Sequence, residues 1–333
     1  KTYNEIRTKV QPRIELTHEL SITDFGEILP SQIIELKSDS KGRIYLNDQL
    51  ALRVHIFNSD GTYIRSIGQE GSGPGEFRSL QKILIDYRDR LITVDISLSR
   101  NTIFYEKEEE WYVEQIFSID DSPFYAIENV SKNDNVLLNK ILNNIPQPGE
   151  FWQEHVLTLG NLKSEIIQDN IFQYRGLGFL VHDDGYMIIK PYGRSTLNYS
   201  RADGKLFLVW NDSFDLAIID TSLNQIDSLS VSIPNQLISN EERNEILNIM
   251  GDIFRPLGRK YLTRYKPVIK KFFVDENDNY WLQTYDKPEY LVLDKIGFPI
   301  ASFDLPQDMQ LAHVDRNRIY VVHSDDKGYQ IHI

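Results

Sequence analysis

The chain of 333 residues contains no cysteine. That excludes disulfides, thiolate metal sites and a cysteine nucleophile, and it fits either redox compartment. No apolar run approaches the ~18 residues that a membrane helix needs. Positive charge is also scarce: 36 Lys and Arg stand against 49 Asp and Glu, a formal net charge of -13. A nucleic-acid partner is therefore disfavoured, because phosphate binding needs a basic face. An acidic surface mostly serves solubility. The chain starts at Lys1 and shows no signal segment. We expect that an export segment has been trimmed away, so this absence says nothing about location.

What is present points to β-structure. Apolar residues make up 41%, enough for a core, and the 18 Tyr and 16 Phe suit sheet packing. One short element recurs in degenerate form, as Gly42-Arg-Ile-Tyr-Leu-Asn-Asp48 and again from Asp89, Asp134, Gly204, Asp278 and Asn317. Each copy opens with Gly, Asp or Asn, continues with a polar residue and enters an apolar β-type run, which reads as a tight turn feeding a strand. The copies are 47, 45, 70, 74 and 39 residues apart. Roughly 40–45 residues per four-stranded blade is normal for a propeller, so two intervals carry insertions.

The expected fold is all-β: a six-bladed β-propeller closed by an N-terminal strand, Arg13–Ile22, in the last blade. The expected blades span about 31–68, 80–119, 126–168, 196–233, 267–305 and 309–333 plus 13–22, within one domain of 1–333. The first insertion, about 169–195, reads as an extra hairpin turning at Asp184-Gly185. The second, about 235–266, lies between blades 4 and 5 and reads as a helix. Ser239 and Glu242 form a capping-box pattern, Ile246, Leu247, Ile249, Met250, Ile253 and Phe254 have helical spacing, and Pro256 and Gly258 are expected to stop it.

The stretch Asp60–Gly68, followed by Gly71-Ser-Gly-Pro-Gly-Glu-Phe77 and preceded by Arg43–Asp48 and Arg53–Phe57, resembles the NHL repeat. The match is close in the first blade, fair in the second and only a pattern in the others. The whole chain resembles the exported six-bladed propeller proteins of unknown function of Bacteroidota. That resemblance implies a periplasmic or cell-surface location, often with a lipid anchor. It assigns no catalytic residues, because NHL-like propellers include lyases, lactonases and pure scaffolds.

In a four-stranded blade, the loop after strand two and the loop to the next blade share one face. Both insertions and the Gly71–Phe77 loop should crowd that face around the channel, where loop-built pockets form. The candidate ligand-binding residues there are Asp48, Arg53, Asp95, Arg100, Trp210, Asn211, Tyr285 and His323, with Arg255 and Arg259 from a basic cluster running to Lys271. For Asp48…Arg53 and Asp95…Arg100 the competing reading is structural, each Asp bracing its own loop through the Arg. Arg255 and its neighbours either counter a helix C-terminus or attract an anion. Trp210 either stacks on a sugar or packs in the core.

No metal or other cofactor is expected; a calcium site, if present, would draw on Asp48, Asp95 and Asp212 oxygens. His323 is the histidine best placed to act as acid or base, with His182 second. The Gly71–Gly75 run lacks the strand-before, helix-after setting of a phosphate loop. The leading function is an exported, non-catalytic propeller that binds a glycan, a peptide or an envelope protein. The alternative is a channel-centred lyase or hydrolase, possibly metal-dependent.

Overall fold

In the computed structural model, which describes residues 13–25, 29–117, 125–142, 147–285, 289–316, 318–326 and 328–333, the recurrent element is the turn between the first and second strands of a sheet. Its opening residue sits in the left-handed region at Gly42 (φ 77°), Asp89 (60°), Asp134 (58°), Gly204 (96°) and Asp278 (60°). Only glycine, or a short polar side chain, adopts that conformation cheaply. Three residues earlier, Asp39, Asp86 and Asp275 each accept two amides of their own loop at 2.9–3.0 Å. In the sixth copy the left-handed residue is Arg316 (φ 49°), and Asn317 lies outside the described residues.

These turns organise six antiparallel sheets. The first holds β2 (Ile33–Ser38), β3 (Ile44–Asp48), β4 (Arg53–Phe57) and β5 (Tyr63–Ile67). The second holds β6 (Leu80–Ile85), β7 (Leu91–Asp95), β8 (Arg100–Lys107) and β9 (Glu110–Phe117). The third has five strands, β10 (Ala126–Val130), β11 (Asn135–Ile141), β12 (Gly149–Asn161), β13 (Ile166–His182) and β14 (Gly185–Ile188). The fourth comprises β15 (Thr196–Ser200), β16 (Lys205–Trp210), β17 (Phe214–Asp220) and β18 (Gln225–Val231), and the fifth β19 (Lys271–Val274), β20 (Tyr280–Gln283), β21 (Tyr290–Leu293) and β22 (Pro299–Phe303). The sixth orders β1 (Ser21–Ile22), β25 (Gly328–His332), β24 (Arg318–Asp325) and β23 (Met309–Asp315).

Burial explains the patterning. β3 and β7 are buried at every position, while the outer strand β9 alternates. A strand with both faces covered reads as a continuous apolar run; one with a solvated face alternates. Apolar clusters join each sheet to the next. Tyr45 and Ile56 meet Ile83 and Leu91, Ile92 and Ile103 meet Ile127 and Leu138, and Leu137 and Leu157 meet Leu206 and Leu208. Phe207 continues through Phe272 to Leu311, and Tyr320 and Ile331 return to Leu36 and Leu46. The sheets therefore form a closed ring with β2, β6, β10, β15, β19 and β23 innermost.

The N-terminal segment departs from the expected ten-residue strand. Among its described residues, only Ser21 and Ile22 enter a ladder, opposite His332 and Ile331. Earlier, Arg13 bridges Ser302 at the edge of the fifth sheet, and the Ile14 amide donates to the Ser302 carbonyl at 3.0 Å. The first insertion holds the expected hairpin, turning at Asp183-Asp184 rather than Asp184-Gly185, and it continues the third sheet instead of standing apart. β13 runs on for 17 residues past register breaks, and β14 folds back on it with His182 opposite Gly185.

The second insertion is two helices, α1 (Asn240–Ile249) and α2 (Gly251–Tyr261). The capping box is present: the Glu242 amide donates to Ser239 Oγ at 3.1 Å, and the Ser239 amide to the Glu242 carboxylate at 2.9 Å. Pro256 and Gly258 do not stop the helix. The break falls at Gly251, where φ is 64°. Pro256 lies inside α2 and forfeits a single backbone bond. Gly258 is there for clearance, since a Cβ would stand 2.3 Å from Met250 Sδ.

Candidate functional site at the channel mouth

The two insertions, far apart in sequence, share one apolar core. Leu180 and Tyr192 from the first pack with Ile246, Leu247, Met250 and Leu262 from the second. Tyr192 donates its hydroxyl to Glu242 at 2.7 Å, and Lys266 reaches the same carboxylate at 2.6 Å. Those bonds, with the capping amide, hold the Glu242 carboxyl down at about 2. Tyr285, at the end of the second strand of the fifth sheet, joins this cap through Pro191 O at 3.3 Å, and burial pushes its hydroxyl up to about 12.

Beside the cap the channel opens into a cavity of about 710 Å³, lined by Ile33–Lys37, Thr196–Tyr199, Lys270–Phe273 and residues of β23. Below it lies a smaller cavity of about 150 Å³ on the side of the first hairpin turns. Lys37 and Tyr199 line both, with the ammonium 4.9 Å from the ring centre. They form a floor together with His313. Ser38 donates to Asp315 at 2.6 Å and lies 2.9 Å from His313 Nε2, while the Tyr199 hydroxyl lies 3.2 Å from Nδ1. Burial drives the His313 imidazole well below its ordinary value, and Lys37 adds to the shift. A neutral His313 that donates from Nε2 to Ser38 and accepts at Nδ1 from Tyr199 satisfies both of its partners and leaves the Ser38 proton for Asp315.

Of the candidates read from the sequence, Lys270 and Lys271 at the end of the basic cluster line the larger cavity, and Asp48, Arg53, Asp95, Arg100, Trp210, Asn211, Tyr285, His323, Arg255 and Arg259 do not. For Asp48, Asp95, Trp210, Asn211, Tyr285 and His323 the reason is geometric: they lie at or just past the ends of second strands, which stand one strand out from the axis, whereas first strands face the channel. Arg53 and Arg100 open third strands, and Arg255 and Arg259 lie on α2. Asp48 is fully buried and accepts the amides of Ser31 (2.7 Å), Gln32 (2.9 Å) and Ala51 (3.2 Å). Burial alone would push its carboxyl up; bonds from His55 and these amides outweigh that and hold it at about 2. Asp95 repeats the arrangement with the amides of Arg78, Ser79 and Leu98. Asn211 fills the same post with an amide, accepting from Ser195 and donating to Gly193 O.

The Asp–Arg braces take another form. Arg53 and Arg100 stand opposite Asp48 and Asp95 in register, but Arg100 donates to the carbonyls of Ser72 and Glu76 and so pins the Gly71–Phe77 connection. Trp210 packs on Trp152 with ring centres 5.3 Å apart. Arg255 caps α1 through Leu247 O at 3.1 Å and pairs with Asp252 at 2.8 Å. Arg259 is exposed on α2, with its carbonyl accepting from Arg243. His323 faces Asp308 at 3.0 Å, at the cavity rim. His182 pairs with the adjacent Asp184 at 3.1 Å.

The metal candidates do not gather. Asp48 and Asp95 spend their oxygens on loop amides, and Asp212 pairs with Arg194 at 3.1 Å. Among the described residues no group of three or more His, Asp or Glu is placed to hold an ion. The residues that do line the cavity include Lys270 and Lys271, the last members of the basic cluster. Lys271 Nζ meets Gln310 Oε1 at 3.0 Å, and burial holds its ammonium below the ordinary lysine value, with Glu289 opposing the shift.

A closed ring of six sheets, four strands or five to a sheet, defines a six-bladed β-propeller. The chain is similar to a family described as a 6-bladed beta-propeller, DUF5128, whose model matches residues 26–140. Among solved structures it resembles a protein of Bacteroides fragilis described as exported, at 14% identity over 96% of this chain and 93% of that one, with a TM-score of 0.58. It also resembles a member of the duf4221 family from Bacteroides vulgatus, at 14% identity over 97% and 98%, with a TM-score of 0.54. Virginiamycin B lyase from Staphylococcus aureus shares 8% identity over 94% and 97%, with a TM-score of 0.49, too low to carry its reaction over. No curated protein matches the sequence. These likenesses show the fold alone.

Proposed function

We propose that this chain is an exported binding propeller that holds a ligand at the cap-bearing mouth of its channel, without catalysis. The observation that carries the reading is the cavity of about 710 Å³ beside the joint cap, floored by Lys37 and Tyr199. Its size suits a small ligand or the end of a chain, and its lining mixes apolar side chains with a few convergent polar groups. In this reading Ser21–Ile22 closes the ring, the helical insertion forms one wall of the mouth, and the first blades are NHL-like. The single domain spans the chain, and a lipid anchor lies outside it. The export reading draws on the described location of the Bacteroides fragilis relative. The ligand is a glycan, a peptide or an envelope protein.

The test is a screen of oligosaccharide and peptide arrays with the wild-type protein and with Asn198→Trp. Asn198 is exposed on the cavity wall, so the indole fills the mouth without entering the core. A ligand captured by the wild type and lost from Asn198→Trp supports the reading. A ligand held equally by both places binding elsewhere.

A further inference from the structure

The inner strands carry polar side chains around the axis: Glu35 and Lys37 on β2, Lys82 on β6, Glu128 on β10, Asn198 on β15, Lys271 on β19 and Gln310 on β23. Most of the charge among them is neutralised in place. Glu35 takes Lys37 at 3.2 Å and the Ile83 amide at 2.8 Å, and Lys82 pairs with Glu128. The neighbours at the rim are engaged too. Asp308 faces His323 at 3.0 Å, and Lys270 lies 3.9 Å from Glu289 and 4.8 Å from the centre of the Tyr285 ring.

Lys271 is the exception. Its Nζ meets only the neutral amide oxygen of Gln310, and among the described residues no carboxylate lies within ion-pair distance. A largely covered ammonium without a counter-charge costs free energy that an anion at the same place would recover. A lysine presents a compact charge with three donors, one of which is used by Gln310. The other two have the cavity to face. Asn198 lines the same space and adds an amide that can donate to a second oxygen.

We propose that the channel mouth is a carboxylate-binding site in which Lys271 supplies the counter-charge to a small acid seated in the cavity of about 710 Å³. The site deepens the binding role proposed above and rests on it. A free carboxylate has two natural sources at this size, a uronic acid and a peptide C-terminus, and the lining accommodates either.

The experiment is a calorimetric titration of the full chain with galacturonate against galactose, and with trialanine against its C-terminal amide. Wild type, Lys271→Gln and Lys271→Arg are compared, each first shown to melt cooperatively. We expect at least one acid to bind at least tenfold tighter than its neutral counterpart. Lys271→Gln should erase that preference and Lys271→Arg should keep most of it. Whichever acid shows the preference identifies the source. Equal binding of acid and neutral probe, retention of the preference in Lys271→Gln, or no binding of either acid overturns the proposal. The two readings fail separately: a neutral ligand lost from Asn198→Trp but indifferent to Lys271→Gln keeps the face and removes the carboxylate, whereas a ligand held equally by wild type and Asn198→Trp removes the face.

Discussion

The two ends of the channel are built on opposite terms. At the end of the first hairpin turns, charges are stitched from blade to blade. Arg43 reaches Asp39 and Glu106, Arg90 reaches Asp86, Glu114 and Asp134, Arg201 reaches Asp203 and Asp278, and Arg316 reaches Glu276. At the cap end the cavity is larger, and Lys271 lacks a carboxylate partner among the described residues. A satisfied network fixes geometry, whereas an unsatisfied charge in a cavity invites a ligand. In the proposed reading, the difference makes one face a clasp for the ring and leaves the other to bind.

The sharpest way to break this contrast is to cut the clasp. Arg90→Leu strips the charge partner from Asp86, whose side chain is 1% exposed at 2.7 Å from the guanidinium. Leaving a buried carboxylate unpaired typically costs about 3–5 kcal/mol. We expect a lowered urea midpoint with an unchanged slope, and no change in ligand capture per folded molecule. Loss of capture without loss of stability would show that the clasp end takes part in binding.

Acid should attack the same end next. His313 is neutral in the folded protein and titrates well below its ordinary value because it is buried. The unfolded chain binds a proton near pH ~6.5, so it takes up more protons than the native state below that value. Stability is therefore full above about pH 6.5 and declines as pH falls towards the depressed folded value. His155 and His332, shifted the same way by burial, add to the slope. Melting temperatures from pH 8 to 5 should fall, and His313→Gln, which keeps a donor and an acceptor, should flatten the dependence. An unchanged slope in that variant would place the acid sensitivity elsewhere.

These ends were unequally legible from sequence. Gly42, Asp89, Asp134, Gly204 and Asp278 announced the turns because left-handed backbone restricts residue choice locally. Ser239 and Glu242 announced α1 for the same reason, a bond closed within one turn. The cap core is hidden, because Tyr192 and Leu247 meet across a whole blade, and the helical spacing that includes Leu247 marks a helix without naming what it packs on. Lys271 appears in the sequence only as one of a run of basic residues; its proposed role depends on Gln310, from a different blade, and on the lack of a carboxylate partner among the described residues. Asp48 was noticed but paired with the wrong group: register alone does not tell whether a carboxylate takes a side chain or three amides.

The cap should yield to smaller cuts that leave the ring intact. Leu247→Ala removes a buried side chain shared by both insertions and should cost about 2–4 kcal/mol. Hydrogen exchange should then speed up together in 180–192 and 238–262 while β3 and β7 stay protected. Independent behaviour of the two segments would mean that they do not form one unit. Ser239→Ala loses one capping bond, about 1 kcal/mol, with exchange rising only in the first turn of α1.

The smallest expected effect separates the two accounts of Asp48. If its carboxylate were held by Arg53, removing the guanidinium would leave a buried charge bare and cost several kcal/mol. In the structure Ser31, Gln32 and Ala51 supply the donors, with His55 at 3.4 Å, and Arg53 stands opposite Asp48 only in register. Arg53→Ala should therefore shift the urea midpoint by no more than about 0.5 kcal/mol equivalent. Asp48→Ala, which orphans three amides at once, should cost several times as much. A large loss in Arg53→Ala would restore the ion pair and return Asp48 to the set of charged groups on the binding face; a negligible one leaves Asp48 as a strut of the blade and Lys271 as the charge that the mouth presents.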